Sequence, residues 1–149
     1  MPTLVQNRKA YFNYEIAEKM EAGMELLGFE VKSIKNGRGS LDGSYVSMSD
    51  EEAFLIGANI SPYQPKNTPI SYDPKRPRKL LLTKKEISRL TGLQKERGLT
   101  IVPISMYSKG GKVKLEIGLG KGKKKYDKRQ SIKKRDTQRD VSREIGGRI

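Results

Sequence analysis

The most constraining feature of the chain lies at residues 112–119. There Val113, Leu115, Ile117 and Leu119 alternate with Lys114, Glu116 and Gly118. A period of two puts the four apolar side chains on one face of a strand and does not fit a helix, whose repeat is 3.6. The apolar stretch 99–107 precedes it across Ser108-Lys109-Gly110-Gly111. Gly and Ser are residue types that reverse a chain, so the two stretches predict an antiparallel hairpin.

The same period recurs upstream. Phe12, Tyr14 and Ile16 alternate over residues 11–17, and Met20, Ala22, Met24 and Leu26 alternate with Glu21, Gly23 and Glu25. Both stretches read as strand. Tyr45–Met48 and Ala53–Ile60 flank the polar Ser49-Asp50-Glu51-Glu52 and read as a second hairpin. Residues 29–36 are ambiguous: Val31 and Ile34 suit a short helix that Gly37 would end. KNGRGSLDGS reads as a loop. Residues 61–78 hold five of the chain's seven prolines and leave through Lys75, Arg76 and Arg78. So long an irregular loop is more often functional than idle. Thr83-Lys84-Lys85-Glu86 matches a capping box, with Ile87, Leu90 and Leu93 as an apolar face and Gly98 as a stop, so this is the best helix in the chain.

About six short strands with a helix between the hairpins predict a mainly β protein. They suit an OB-fold-type small closed barrel with two or three peripheral helices and a basic C-terminal tail. A sheet with a helix packed on one face is the rival, since periodicity does not reveal closure.

Charge divides the chain. Residues 121–149 carry 12 Lys/Arg against 4 Asp/Glu, while residues 1–120 carry 19 against 13. The expected organisation is a body at 1–120 and a tail at 121–149. The tail's only large apolar residues are Tyr126, Ile132, Val141, Ile145 and Ile149, too few for a core. Arg135, Arg139 and Arg143 would form one stripe on a helix, beside Asp136, Asp140 and Glu144. So short a helix is marginal in water, so the tail is expected to be disordered alone and helical against a polyanion. A plain solubilising tail is the simpler alternative.

The 149 residues include no His and no Cys. That removes Ser-His-Asp and Cys-His catalysis, disulfides and Cys/His zinc sites. Lys and carboxylate chemistry survive, but no acidic metal cluster stands out, so neither catalytic residues nor a metal or cofactor is expected. The first 15 residues lack an apolar signal segment, and no apolar run approaches the ~20 residues of a membrane span. A formal charge of +14 points to a polyanionic partner and a cytoplasmic protein without membrane contact.

Glycine motifs at Gly37-Arg38-Gly39 and Gly118–Lys123 lack the spacing of phosphate loops and read as turns. Glu21 and Glu25 fall on the face opposite Met20 and Ala22. They are either solvated or act as acceptors for base amino groups. Asn7-Arg8-Lys9 is either a frayed basic terminus or an RNA contact. Tyr126 among lysines has the arrangement for stacking a base while pairing phosphates, or is a bystander.

Several ordered stretches carry a resemblance. They are Asn7-Arg8-Lys9-Ala10, Glu21-Ala22-Gly23, Gly28-Phe29-Glu30-Val31-Lys32-Ser33, Ser44-Tyr45-Val46, Gly57-Ala58-Asn59-Ile60, Asp73–Leu82 and Gly120–Arg129. Over nearly its whole length the chain resembles the small protein B (SsrA-binding protein) family of bacterial trans-translation. The resemblance implies an OB-fold body, a helix at 29–36 and a tail unstructured in solution. It implies binding to the tRNA-like domain of transfer-messenger RNA and action on stalled ribosomes, with no bond chemistry. The ribosomal partners would be the decoding centre, the mRNA channel and 16S rRNA. Elongation factor Tu would enter indirectly through the alanylated RNA, and the protein would act as a monomer.

By position, Asn7, Glu21 and Leu81 match family residues tied to RNA binding. Arg8, Lys9, Arg76, Arg78 and Lys79 complete the expected RNA-binding set. Asp127, Lys128 and Arg129 match the tail motif needed for tagging, continued by Ile132 and Lys133, and Ile145 matches a late apolar position. Lys124, Tyr126 and Arg135 complete the expected ribosome-binding tail. The alternative is a general RNA chaperone or ribosome-associated OB-fold protein.

Overall fold

A computed structural model describes residues 3–49, 51–64, 66 and 68–123. Its elements run β1 (Thr3–Gln6), α1 (Ala10–Asn13), β2 (Tyr14–Met24), α2 (Gly28–Lys35), β3 (Gly39–Ser40), β4 (Tyr45–Ser49), β5 (Glu52–Ile56), β6 (Asn59–Ile60), β7 (Arg78–Leu81), α3 (Lys84–Arg97), β8 (Thr100–Lys109) and β9 (Lys112–Gly122). Seven strands form one antiparallel sheet in the order β1-β8-β9-β2-β7-β5-β4, and β3 pairs with β6 apart from it.

The hairpin of β8 and β9 is the one expected, turned by Gly110 and Gly111, both at positive φ. There a side chain would be strained. The early stretch departs from its pattern. Residues 11–13 lie in α1, and β2 pairs with β9 with a register shift between Ile16 and Glu18. An extra residue in one strand transfers the following side chains to the other face. Ile16 therefore packs with Ala10, Val102 and Ile104 in a small cluster, while Met20 and Ala22 join the main core. β8 is irregular between Pro103 and Ser105, opposite the same region. Gly118 and Gly120 allow the crossing: a Cβ at Gly120 would stand 2.5 Å from the Glu15 carbonyl oxygen, and one at Gly118 2.7 Å from Ile104 Cδ1.

Among the described residues the ladder does not close. β1 and β4 are its ends, so the closed barrel expected from the sequence is not found. The sheet curls until β4 approaches β8. Its edges have only four and five residues, leaving little backbone to share a ladder. The main core, with Leu55, Leu80, Met106, Leu115, Ile117 and Leu119 fully or almost fully buried, fills the inner face.

Residues 28–35 resolve to helix α2, which packs Ile34 and Val31 against the main core. α3 carries the capping box in full: Glu86 N–H donates to Thr83 Oγ1 at 3.2 Å and Thr83 N–H to Glu86 Oε1 at 2.8 Å, with Gly98 left-handed at its end. No described helix is long and apolar enough to cross a membrane.

Candidate nucleic-acid interface

Three of the expected RNA-binding residues meet on the outer face of the sheet. Glu21 and Gly23 alternate with the core residues Ala22 and Met24 on β2, so they project outward. Gly23 pairs with Leu81 of β7 on one side and Lys114 of β9 on the other. Leu81 is 53% exposed, so its side chain lies open on the sheet face and outside the core. Lys79 follows two residues before Leu81 on the same face and pairs with Glu52 at 3.7 Å. The absent Cβ at Gly23 matters here: it would stand 3.1 Å from Leu81 Cβ and 3.5 Å from Lys114 Nζ.

Glu21 is fixed rather than free. The Tyr107 hydroxyl donates to it, and Lys109 Nζ lies 3.3 Å away. The Tyr107 hydroxyl, with help from Lys109, holds the Glu21 carboxyl below its ordinary range despite an opposing desolvation. Burial and then the hydrogen bond to Glu21 push the Tyr107 phenol well up, so it remains a donor at neutral pH. Lys19 adds a cation, with Nζ 5.0 Å above the Tyr11 ring and 3.8 Å from Glu116. The face thus offers a carboxylate acceptor, an apolar side chain and several lysines. That set suits recognition of a folded RNA by base edges, sugar faces and phosphates.

Asn7, Arg8 and Lys9 form a separate corner. Asn7 is buried, and its Nδ2 donates to the Pro103 carbonyl at 2.8 Å while its backbone N–H donates to Ile104 at 2.8 Å. It fastens the N-terminal segment over the irregular part of β8. Arg8 and Lys9 beside it are exposed, so the side chains open to a ligand here are those two cations.

The arginines at the exit of the proline-rich loop do something else. Arg78 is fully buried: its Nε and Nη2 donate to Glu30 Oε2 at 3.0 and 2.6 Å, and its Nη1 donates to the Ala58 carbonyl at 2.7 Å. Arg76 Nε donates to the same carboxylate at 3.2 Å and its Nη2 pairs with Glu30 Oε1. Tyr72 Oη lies 2.9 Å from Glu30 Oε2 and 2.8 Å from the Ile60 carbonyl. Arg78 is therefore withdrawn as an RNA contact, because every guanidinium nitrogen is spent inside the protein. Arg76 keeps partial exposure but is likewise committed.

Burial opposes ionisation of Glu30, but Arg76, the Leu27 amide and Arg78 outweigh it and hold the carboxyl below its ordinary range. Burial and then Glu30 push the Tyr72 phenol up to about 12. The sequence reading missed Glu30, Tyr72, Tyr107, Lys109 and Lys114. The side-chain partners of Glu30 lie 42 to 48 residues away in the chain, so local pattern does not connect them. For Lys114 a signal existed, since it is an outward position of the clearest strand.

The tail residues Lys124, Tyr126, Asp127, Lys128, Arg129, Ile132, Lys133, Arg135 and Ile145 lie outside the described residues. The last described strand runs to Gly122, and Lys123 N–H donates to the Asn13 carbonyl at 2.8 Å. The chain thus leaves the body beside α1. Among the described residues no group of three His, Cys, Asp or Glu is placed to hold a metal ion.

Comparison with known proteins gives one consistent result. The family model described as SmpB protein matches residues 4–147. An SsrA-binding protein of Chloroflexus aggregans is 47% identical over 146 residues, covering 98% of this chain and 92% of that protein. One of Paraburkholderia xenovorans is 49% identical over 141 residues and covers 95% of each. One of Microcystis aeruginosa is 50% identical over 140 residues, covering 94% and 91%. A chain in a solved structure, described as "tmRNA-SmpB: a journey to the center of the bacterial ribosome", superposes with a TM-score of 0.67 at 43% identity, over 84% of this chain and 87% of that one. A family match over residues 4–147, joined to a common fold, places this chain in the SmpB protein family.

Proposed function

We propose that this protein is an RNA-binding adaptor of ribosome rescue. It binds transfer-messenger RNA through its tRNA-like domain and delivers it to stalled ribosomes. The observation that carries this reading is the structural likeness, at 43% identity, to a chain described with tmRNA and the bacterial ribosome. The outer sheet face supports it, since Glu21 and Leu81, 60 residues apart in sequence, are brought together through Gly23.

The division of labour follows from the charge. The body recognises one folded RNA by shape and holds it on a rigid sheet. The basic tail, leaving the body at Lys123, is suited to a phosphate-lined path such as the mRNA channel near the decoding centre, and enters only when no other polyanion occupies it. Elongation factor Tu is engaged indirectly through the alanylated RNA, and the protein acts as a cytoplasmic monomer and makes or breaks no bond.

The decisive experiment is truncation after Lys123, which keeps the Tyr14–Gly122 pairing of β2 with β9 intact. The truncated protein is expected to bind transfer-messenger RNA with little loss and to fail in peptide tagging on ribosomes stalled without a codon. Normal tagging by the truncated protein would refute the role of the tail. Recovery of a broad RNA population instead of one structured RNA, on pull-down and sequencing, would favour a general RNA chaperone.

A further inference from the structure

The curled sheet keeps an open seam. β1 pairs with β8 only from Ser105 to Tyr107, and among the described residues β4 has a strand partner on one side alone, β5. The first residues of β8 and of β4 therefore lie across from each other with no ladder between them, and a cleft of about 320 Å³ opens there beside α1. Its apolar wall is Ala10 and Pro103, both buried, with Tyr14, which packs on the small cluster of Ala10, Val102 and Ile104. Tyr45 stands at the β4 side and is 55% exposed. Lys9 lines the α1 side; it is exposed, and none of the ion pairs among the described residues involves it. An unpaired strand edge beside an apolar hollow is a place where extended chain can add.

The chain itself leaves the described body at the rim of this cleft. Gly122, the last residue of β9, pairs with Tyr14, and Lys123 N–H donates to the Asn13 carbonyl at 2.8 Å. Asn13 and Tyr14 both line the cleft. The next residues are Lys124-Lys125-Tyr126-Asp127. Tyr126 is the only aromatic residue after Lys123, and Asp127 is the first acid. Three extended residues span up to ~10 Å, so Tyr126 comes within reach of the cleft without the chain passing around the body.

We propose that the cleft between α1, β4 and β8 is a docking site for the chain's own segment Lys124–Asp127, with the Tyr126 ring against Ala10, Tyr14, Tyr45 and Pro103 and the Asp127 carboxylate on Lys9. A tyrosine supplies a large apolar ring with a polar tip, which suits an apolar wall that opens to water. The tether favours this occupant over any other. A segment joined to the rim by so short a linker is present there at an effective concentration on the order of millimolar, so a weak contact suffices. A separate peptide or a second copy has no such advantage. The docked segment carries the rigid body four residues further and gives residues 128–149 a fixed starting point beside α1. A segment that starts from a fixed point loses less freedom when it meets its target. The inference stands on the cleft and the chain exit, and holds whether or not the outer face binds transfer-messenger RNA.

The test is NMR on the full-length protein without RNA. Backbone order parameters of residues 124–127 are expected near the ~0.85 of rigid backbone, against less than about 0.6 in the last ten residues. Overhauser contacts are expected from the Tyr126 ring to the Ala10 methyl group and the Pro103 ring, unchanged on tenfold dilution. Tyr126→Ser should abolish the order of residues 124–127, and Tyr126→Phe should keep it. Tyr45→Asp, which changes an exposed side chain on the opposite wall, should abolish it too, with a melting temperature equal to the parent's, so that lost docking is separated from lost fold. Residues 124–127 as mobile as the last ten, order that survives Tyr126→Ser, or contacts that vanish on dilution and so come from a second copy, would each overturn the proposal.

Discussion

Two carboxylates, each bonded to a tyrosine and close to basic side chains, occupy opposite worlds in this molecule. Glu21 sits on the open sheet face with Tyr107 and Lys109. Glu30 sits fully buried with Tyr72, Arg76 and Arg78. Both are held ionised by their partners. The surroundings decide what the ionised group is for. Around Glu21 water and an RNA can compete for its oxygens, so its neighbours set its direction without consuming it. Around Glu30 the partners take up both oxygens, so the charge serves only to join α2 to a loop.

The largest effect that this contrast predicts comes from Glu30→Ala. It leaves Arg78 buried without a counter-charge, and breaking a buried pair from one side costs about 3–5 kcal/mol. Thermal and urea melts should show a large drop in stability. A loss of no more than about 1 kcal/mol would mean that Arg78 finds another acceptor and that the cluster is no clasp.

A second large effect is expected in acid. Glu30 has its carboxyl held below the ordinary 4.5, so it binds fewer protons folded than unfolded at pH values near that number. Its contribution is present above the unfolded value and is lost as pH falls through the lower folded value. The parent should lose stability as pH falls below about 4.5 more steeply than Glu30→Gln does. Parallel pH profiles would show that the acid sensitivity resides elsewhere, since other carboxylates titrate in the same range.

On the open face the expectation reverses: RNA affinity should fall while melting stays put. Leu81→Asp places a charge on an exposed apolar position and should weaken transfer-messenger RNA binding about tenfold or more, read by filter binding or fluorescence anisotropy. Glu21→Gln retains shape and one acceptor oxygen, so a smaller loss is expected. If Leu81→Asp lowers the melting temperature as much as Glu30→Ala does, the distinction between a binding face and a clasp collapses.

What could be read in the chain follows the range of the forces involved. The α3 capping box and the β8–β9 hairpin rest on contacts a few residues apart, and both were legible. β1 and β7 were not. Each has four residues and is strand only because β8, or β2 and β5, lies beside it. The register shift in β2 was equally hidden, since Phe12, Tyr14 and Ile16 alternate as well as Met20, Ala22 and Met24 do, and only the pairing with Gly120 and Leu119 shows that the face has changed. At the candidate site, resemblance pointed to Glu21 and Leu81, which the fold brings onto one face, but the basic composition of residues 75–79 misplaced Arg78 on the surface. A lysine-rich or arginine-rich run announces charge, not which way each side chain points.

Gly23 offers the finest test of the comparison, because it alters the outer face without touching a charge. Its missing Cβ is what lets Leu81 Cβ and Lys114 Nζ close over β2. At 3.1 Å from Leu81 Cβ, an added methyl group meets the stem of a side chain rather than its flexible end, so β7 must shift by a few tenths of an ångström. The backbone of Gly23 is not at positive φ, so alanine is not strained there for conformational reasons. Gly23→Ala should therefore fold with nearly the parent's stability and lose RNA affinity only a few-fold, by moving Leu81 relative to Glu21. If affinity is unchanged, the outer face works as a field of charges and the spacing of its side chains is immaterial. If affinity falls as far as in Leu81→Asp, the face is read as a fixed shape, and the rigidity of the sheet beneath it is part of recognition.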